Sequence, residues 1–153
     1  MSLIVQKFGG TSVGTVDKIR QVAEKVSQFH GNGDKIVVVV SAMSGETNRL
    51  VALAQQMQER PVPRELDVLL STGEQVSIGL LCMALDEIGV NAISFTGGQV
   101  QLLTDDSHTK ARIRRVDDEK IRHELEKDKV VVVAGFQGVD EAGNITTLGR
   151  GGS

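Results

Sequence analysis

The chain has 153 residues, 40% hydrophobic and 24% charged, with a formal net charge of −3 at pH 7, which is the length of one domain and the composition of an ordinary globular protein. A mildly acidic balance and only four aromatic residues, all Phe, argue against a nucleic-acid partner, which needs a basic face and stacking platforms. No apolar run reaches the roughly 18–20 residues of a bilayer span, no leader is visible at the N-terminus, and the lone cysteine, Cys82, cannot close an internal disulfide, so a reducing, cytoplasmic setting without a membrane partner is expected.

Leu3-Ile4-Val5 runs through Gln6-Lys7-Phe8 into Gly9-Gly10 and reads as a buried strand. From Thr15, apolar residues recur at helical spacing (Val16, Ile19, Val22, Ala23, Val26) until Gly31-Asn32-Gly33 ends the pattern. Ile36 to Val40 is an unbroken β-branched run, the mark of a parallel strand covered on both faces. Ser41-Ala42-Met43-Ser44-Gly45 breaks it, and a helix is expected over 46–59. After Pro61 and Pro63, one long central helix is expected over 65–88, followed by a strand over 90–95 that Thr96-Gly97-Gly98 stops. Residues 99–116 suggest short strands around a loop at 104–110. Asp117-Asp118-Glu119 opens a helix that ends near Lys127, in keeping with the helix dipole. A buried strand over 129–134 and a hairpin over 139–148, turning near Gly143, complete the pattern.

This order predicts an α/β fold, a three-layer αβα sandwich on a mainly parallel sheet. Ligands in such sheets sit at the carboxyl ends of the strands. The glycines, about 11% of the chain against a usual ~7%, cluster after apolar runs, where a tight turn or a close ligand requires them. The final residues, Gly149-Arg150-Gly151-Gly152-Ser153, fall where another helix would begin, inside a candidate site.

Lys7-Phe8-Gly9-Gly10-Thr11-Ser12 supplies what a bound phosphate requires: glycine amides, two hydroxyls, a helix N-terminus downstream, and a lysine at the strand end. It is neither a P-loop, whose lysine follows the glycines, nor the dinucleotide fingerprint. The plainer alternative is a glycine turn beside a solvated lysine. His30, His108 and His123 lie in polar stretches and read as solvated side chains, Cys82 reads as core, and no His/Cys spacing suggests structural zinc.

Five blocks, Lys7–Gly14, Val40–Gly45, Ser71–Glu74, Gly135–Gly138 and Thr147–Ser153, follow one another in an order that resembles the amino acid kinase family, and within it the branch that phosphorylates aspartate. The resemblance covers essentially the whole chain. It implies transfer of the ATP γ-phosphoryl group to the side-chain carboxylate of L-aspartate, giving 4-phospho-L-aspartate, the first step toward lysine, methionine and threonine. A carboxylate nucleophile, with a reference pKa of ~3.9, is already ionised at neutral pH and needs no general base. The task left to the enzyme is to bring two anions together and offset the charge between them.

On that basis Lys7 is the expected catalytic cation, with Phe8, Gly9 and Gly10 at the ATP phosphates. Arg150 is expected to hold the substrate α-carboxylate through a bidentate contact, its alternative being an ordinary surface-turn arginine. Gly151, Gly152 and Ser153 would add amides and a hydroxyl. Glu74 is expected to accept from the substrate ammonium or to organise Lys7, although Ser71-x-x-Glu74 is also a capping-box pattern. If the long helix begins at Glu65, Glu74 lies inside it and needs no cap role. Thr47 matches a substrate-contacting position of the family, its alternative being an N-terminal helix hydroxyl, and Ser41, Thr11 and Ser12 are candidate pocket residues. Any metal is expected to be Mg²⁺ carried on the ATP phosphates, with no ligand assigned to the protein.

Family members are longer, with a second half that builds most of the adenine and ribose site and regulatory ACT domains beyond it. Residues 1–153 therefore read as the substrate- and phosphate-side part of a kinase domain, inactive alone, from a protein that is homo-oligomeric at full length. A sister kinase acting on glutamate, acetylglutamate, UMP or carbamate is the nearer alternative; a non-catalytic anion-binding module is the further one.

Overall fold

The computed structural model describes residues 1–149. In chain order it contains β1 (Leu3–Phe8), α1 (Val16–Gly31), β2 (Lys35–Val40), α2 (Glu46–Met57), α3 (Pro63–Leu70), α4 (Thr72–Glu87), β3 (Ala92–Phe95), β4 (Leu102–Thr104), β5 (Ile113–Val116), α5 (Glu119–Glu126), β6 (Val130–Ala134), β7 (Gln137–Val139) and β8 (Ile145–Thr147). The main sheet has the order β1-β2-β6-β3, and every neighbouring pair is parallel.

The alternation of a strand divides its core into two halves. Ile36, Val38 and Val40 of β2, with Val130, Val132 and Ala134 of β6, pack against Ile19, Val22 and Val26 of α1 and Ile78, Leu81 and Leu85 of α4. The intervening residues, Val37, Val131 and Val133, face the other way and meet Leu125 of α5 and Val100. Helices therefore cover both faces, which is why the valine runs of β2 and β6 carry no polar residue, and the three-layer αβα arrangement follows. β1 is the edge strand. Its Val5 pairs with Val37 and so points to the α5 side, where it remains 65% exposed and Leu3 50%.

β1 departs from the buried strand expected, because at the sheet edge one of its faces has no covering helix; three further features depart from the sequence-based expectations. First, the short strands form a sheet of their own, in the order β5-β4-β7-β8. β7 follows β6 so closely that it would prolong the main sheet, but Phe136 between them has φ 67° and turns the chain away.

Second, the single helix expected over 65–88 is two helices that meet at Ser71. The Ser71 hydroxyl donates to the Val68 carbonyl at 2.9 Å and the Thr72 hydroxyl to the Leu69 carbonyl at 2.7 Å. Two successive hydroxyls bonding back to the preceding turn offer its carbonyls a second donor, an arrangement that competes with a regular helical ladder. Glu74 thus sits in the first turn of α4 rather than deep in a longer helix, and Ser71 makes no side-chain cap, so the capping-box alternative is not built.

Third, the stretch Pro63–Glu87 is, by length and composition alone, apolar enough to cross a membrane, contrary to the expectation that no run is. Its composition has a different cause in this fold: Leu70, Ile78, Leu81 and Leu85 are buried, the α4 part packing beside α1 on the main sheet and α3 packing against β8.

Candidate active site

Because the main sheet is parallel, the carboxyl ends of its strands open on one edge. There β1 runs into Gly9, β2 into Ser41, β3 into Thr96 and β6 into Gly135. The ladder extends one step past the strands: the Ser41 amide donates to Phe8 O at 3.2 Å and the Gly135 amide to Val40 O at 2.9 Å. The glycine loop is fastened from both sides. Ser12 N donates to Gly9 O at 3.0 Å, Lys18 Nζ donates to Thr11 O at 3.0 Å, and the Thr15 hydroxyl caps α1 by accepting from Lys18 N at 3.2 Å.

Gly10 approaches the turn after β2 so closely that a Cβ there would lie 3.2 Å from Ala42 O. Between loop and turn is a cleft of about 350 Å³ lined by Gly10, Thr11, Ser41, Ser44, Gly45 and Thr47, among others. Four of the expected site residues, Gly10, Thr11, Ser41 and Thr47, therefore share one hollow. Lys7 and Gly9 are exposed at the end of β1 and the start of the loop. The Phe8 ring packs against the α1-side core. Ser12 opens onto a separate hollow along α1 with Lys18 and Lys25.

Glu74 reaches the same edge through helix packing. A Cβ on Gly73 would stand 2.9 Å from the Ala42 Cβ, so only glycine lets the start of α4 lie on the Ser41–Ala42 turn. The Glu74 side chain that follows is 1% exposed. Burial lifts its carboxyl from an ordinary 4.5 to about 7, against a partly offsetting hydrogen bond from Gln137.

Gln137 had no role in the sequence reading beyond membership of a motif. It is buried in β7, and its amide donates to Ser71 O at 2.9 Å and to Glu74 Oε1 at 3.4 Å. Gly97 admits it, since a side chain there would overlap the Gln137 carbonyl; the next residue, Gly138, lets β7 lie against β4, where a side chain would stand 2.7 Å from Thr104 Cγ2.

The histidines need correction. His108 is not solvated: its Nδ1 lies 2.7 Å from Oδ2 of Asp67, a carboxylate with no exposed side-chain surface. His30 is half-buried, with Nε2 3.2 Å from the Asp128 carbonyl; His123 is exposed. Cys82 is half-buried on α4, where burial pushes its thiol up to about 11. Among the described residues no group of three or more His, Cys, Asp or Glu could hold a metal ion. Arg150, Gly151, Gly152 and Ser153 lie outside the described residues.

Residues 2–153 match the amino acid kinase family. The chain belongs to that family. Among curated relatives, the aspartokinase of Pseudomonas aeruginosa is 70% identical over the whole of this chain and 37% of its own length. The aspartate kinase of Stutzerimonas stutzeri is 69% identical over the same shares. This amino acid kinase chain thus spans just over a third of the length of those relatives. Among solved structures, the aspartate kinase from Synechocystis superposes with a TM-score of 0.79 at 52% identity, covering 97% of this chain and 24% of that one. Escherichia coli aspartokinase III, in complex with aspartate and ADP, gives 0.85 at 26% identity, covering 98% and 44%. The fold of the amino acid kinases therefore accounts for the described residues.

Proposed function

We propose that this chain is the aspartate- and phosphate-binding part of an aspartate kinase, which transfers the γ-phosphoryl group of ATP to the side-chain carboxylate of L-aspartate. The reading rests chiefly on the convergence of the glycine loop and the Ser41–Thr47 turn on one cleft at the carboxyl edge, with the first turn of α4, which carries Glu74, packed on Ala42 beside it. That convergence occurs in a chain 70% identical to an aspartokinase.

In this reading Lys7 and the Gly9 and Gly10 amides take the phosphate charge. Thr47 and Ser41 contact aspartate. Glu74, about half protonated at neutral pH when nothing faces it, ionises fully against the substrate ammonium, and Arg150 with Gly151, Gly152 and Ser153 receives the α-carboxylate. The attacking carboxylate needs no proton removed, so the residues act by position and electrostatics rather than as a general base. No side chain of this chain is assigned to Mg²⁺, which, carried on the ATP phosphates, would supply charge neutralisation there. The adenine and ribose site, the regulatory ACT domains and the contacts of a homo-oligomer belong to the rest of a longer protein, and the 153 residues alone do not turn over.

Aspartyl-hydroxamate formation with Mg-ATP, measured in parallel on this chain and on the full-length protein, tests the reading. Turnover with aspartate but not glutamate in the longer protein alone, lost in Lys7→Ala, is the expected result. A longer protein that ignores aspartate but phosphorylates glutamate, acetylglutamate or UMP would move the assignment to a sister kinase. Turnover by the 153 residues would refute the claim that a nucleotide half is missing.

A further inference from the structure

Asp67 is a fully buried carboxylate on α3 for which phosphoryl transfer has no use, yet three groups donate to it. His108 Nδ1 lies 2.7 Å from Oδ2. The Thr109 amide is 3.1 Å from Oδ1 and 3.2 Å from Oδ2. The Thr147 hydroxyl is 2.6 Å from Oδ1. A carboxylate oxygen only accepts, so Nδ1 carries the proton of the His108 bond. A buried carboxylate held in this way is a rigid node, because losing any donor leaves charge uncompensated in a medium that cannot solvate it.

The node joins two segments distant in sequence. One is the loop between β4 and β5, where Thr109 has φ 71°. A β-branched residue tolerates that conformation only when its surroundings enforce it, and here Asp67 grips the Thr109 amide. The other is the end of β8, where Thr147 precedes Arg150 by three residues. The two segments also meet directly: the Ala111 amide donates to Thr147 O at 3.0 Å, and Ala111 bridges to Leu148.

We infer that Asp67 and His108 are positioning residues for aspartate binding: the Asp67 node locks the 105–111 loop onto the exit of β8, the stretch Thr147–Gly149 that leads in sequence to Arg150. The inference rests on the aspartate-kinase reading, in which Arg150 holds the α-carboxylate. His108 never touches substrate; it acts through Asp67 and Thr147. Misplacing a bidentate clamp weakens substrate binding alike in the ground and transition states, which raises KM and spares kcat.

The test uses the full-length protein with His108→Ala, His108→Asn, Thr147→Val and Asp67→Asn, measuring steady-state kinetics together with thermal melts. In His108→Ala and Thr147→Val, KM for aspartate is expected to rise on the order of tenfold, with kcat and KM for ATP within about twofold. His108→Asn, whose amide nitrogen takes nearly the place of Nδ1, is expected to recover most of the loss. If Asp67→Asn does not fold, the His108 pair and Thr147→Val still decide the question. Unchanged KM for aspartate in folded His108→Ala and Thr147→Val overturns the inference. So does a parallel fall in kcat and both KM-derived affinities that tracks melting temperature and is not rescued by asparagine, since that is the pattern of a purely structural node. A wild-type protein inactive on aspartate refutes the underlying reading instead, and is recognised before any variant is made.

Discussion

Replacing Glu74 by glutamine isolates the cost of placing an ionisable group in the site. In the unfolded chain the carboxyl titrates near 4.5; in the fold, burial holds it at about 7. A carboxyl whose folded value is raised binds more protons folded than unfolded between those two values, so stability falls as pH rises through that window. Below the unfolded value both states are protonated and there is no penalty; above pH 7 the penalty is complete. At about 1.36 kcal/mol per pH unit it reaches roughly 3 kcal/mol at pH 8 and stays under about 1 kcal/mol at pH 5. Glutamine keeps the shape and the oxygen that accepts from Gln137 but carries no charge. Glu74→Gln in the 153-residue chain is therefore expected to be about 3 kcal/mol more stable than wild type at pH 8 and nearly equal to it at pH 5. Urea titrations followed by circular dichroism at intervals from pH 5 to 8 measure this directly. Stability curves for the two proteins that run parallel across the range would refute the reasoning, since Glu74 would then titrate alike folded and unfolded. In the full-length protein the same substitution is expected to weaken aspartate binding, the exchange of function for stability common at active sites.

Gly138→Ala places a methyl group 2.7 Å from Thr104 Cγ2 and against the Leu102 carbonyl, and is expected to destabilise the chain by about 1–3 kcal/mol in urea titrations; a neutral result would mean that β7 and β4 shift apart freely. Edge strand β1 leaves Leu3 and Val5 exposed, so the 153 residues should self-associate in sedimentation velocity runs, and Val5→Lys should shift them toward monomer. With burial pushing its thiol up to about 11, Cys82 should react with iodoacetamide at pH 8 far more slowly in native protein than in urea; equal rates would contradict its burial on α4.

The elements of the main sheet and the glycine loop were legible in the chain alone. The valine runs of β2 and β6 announce strands covered on both faces, because only a strand with helices above and below can omit polar residues. Thr15, the periodic face of α1 and the glycines after β1 are likewise local signals: cap, stripe and turn each act within a few residues. The motif blocks carried the family for the same reason, since a phosphate loop is a continuous stretch of backbone. Tertiary structure alone decided the rest. Two hydroxyls bending back on their own helix divided α3 from α4, where apolar spacing ran on unbroken. Gln137 meets Glu74 across 63 positions, and His108 meets Asp67 across 41. A polar side chain carries no mark of its partner in its immediate sequence; whether it is solvated or buried and paired depends on which segments the fold brings against it, and the price of leaving it unpaired arises only once water is excluded.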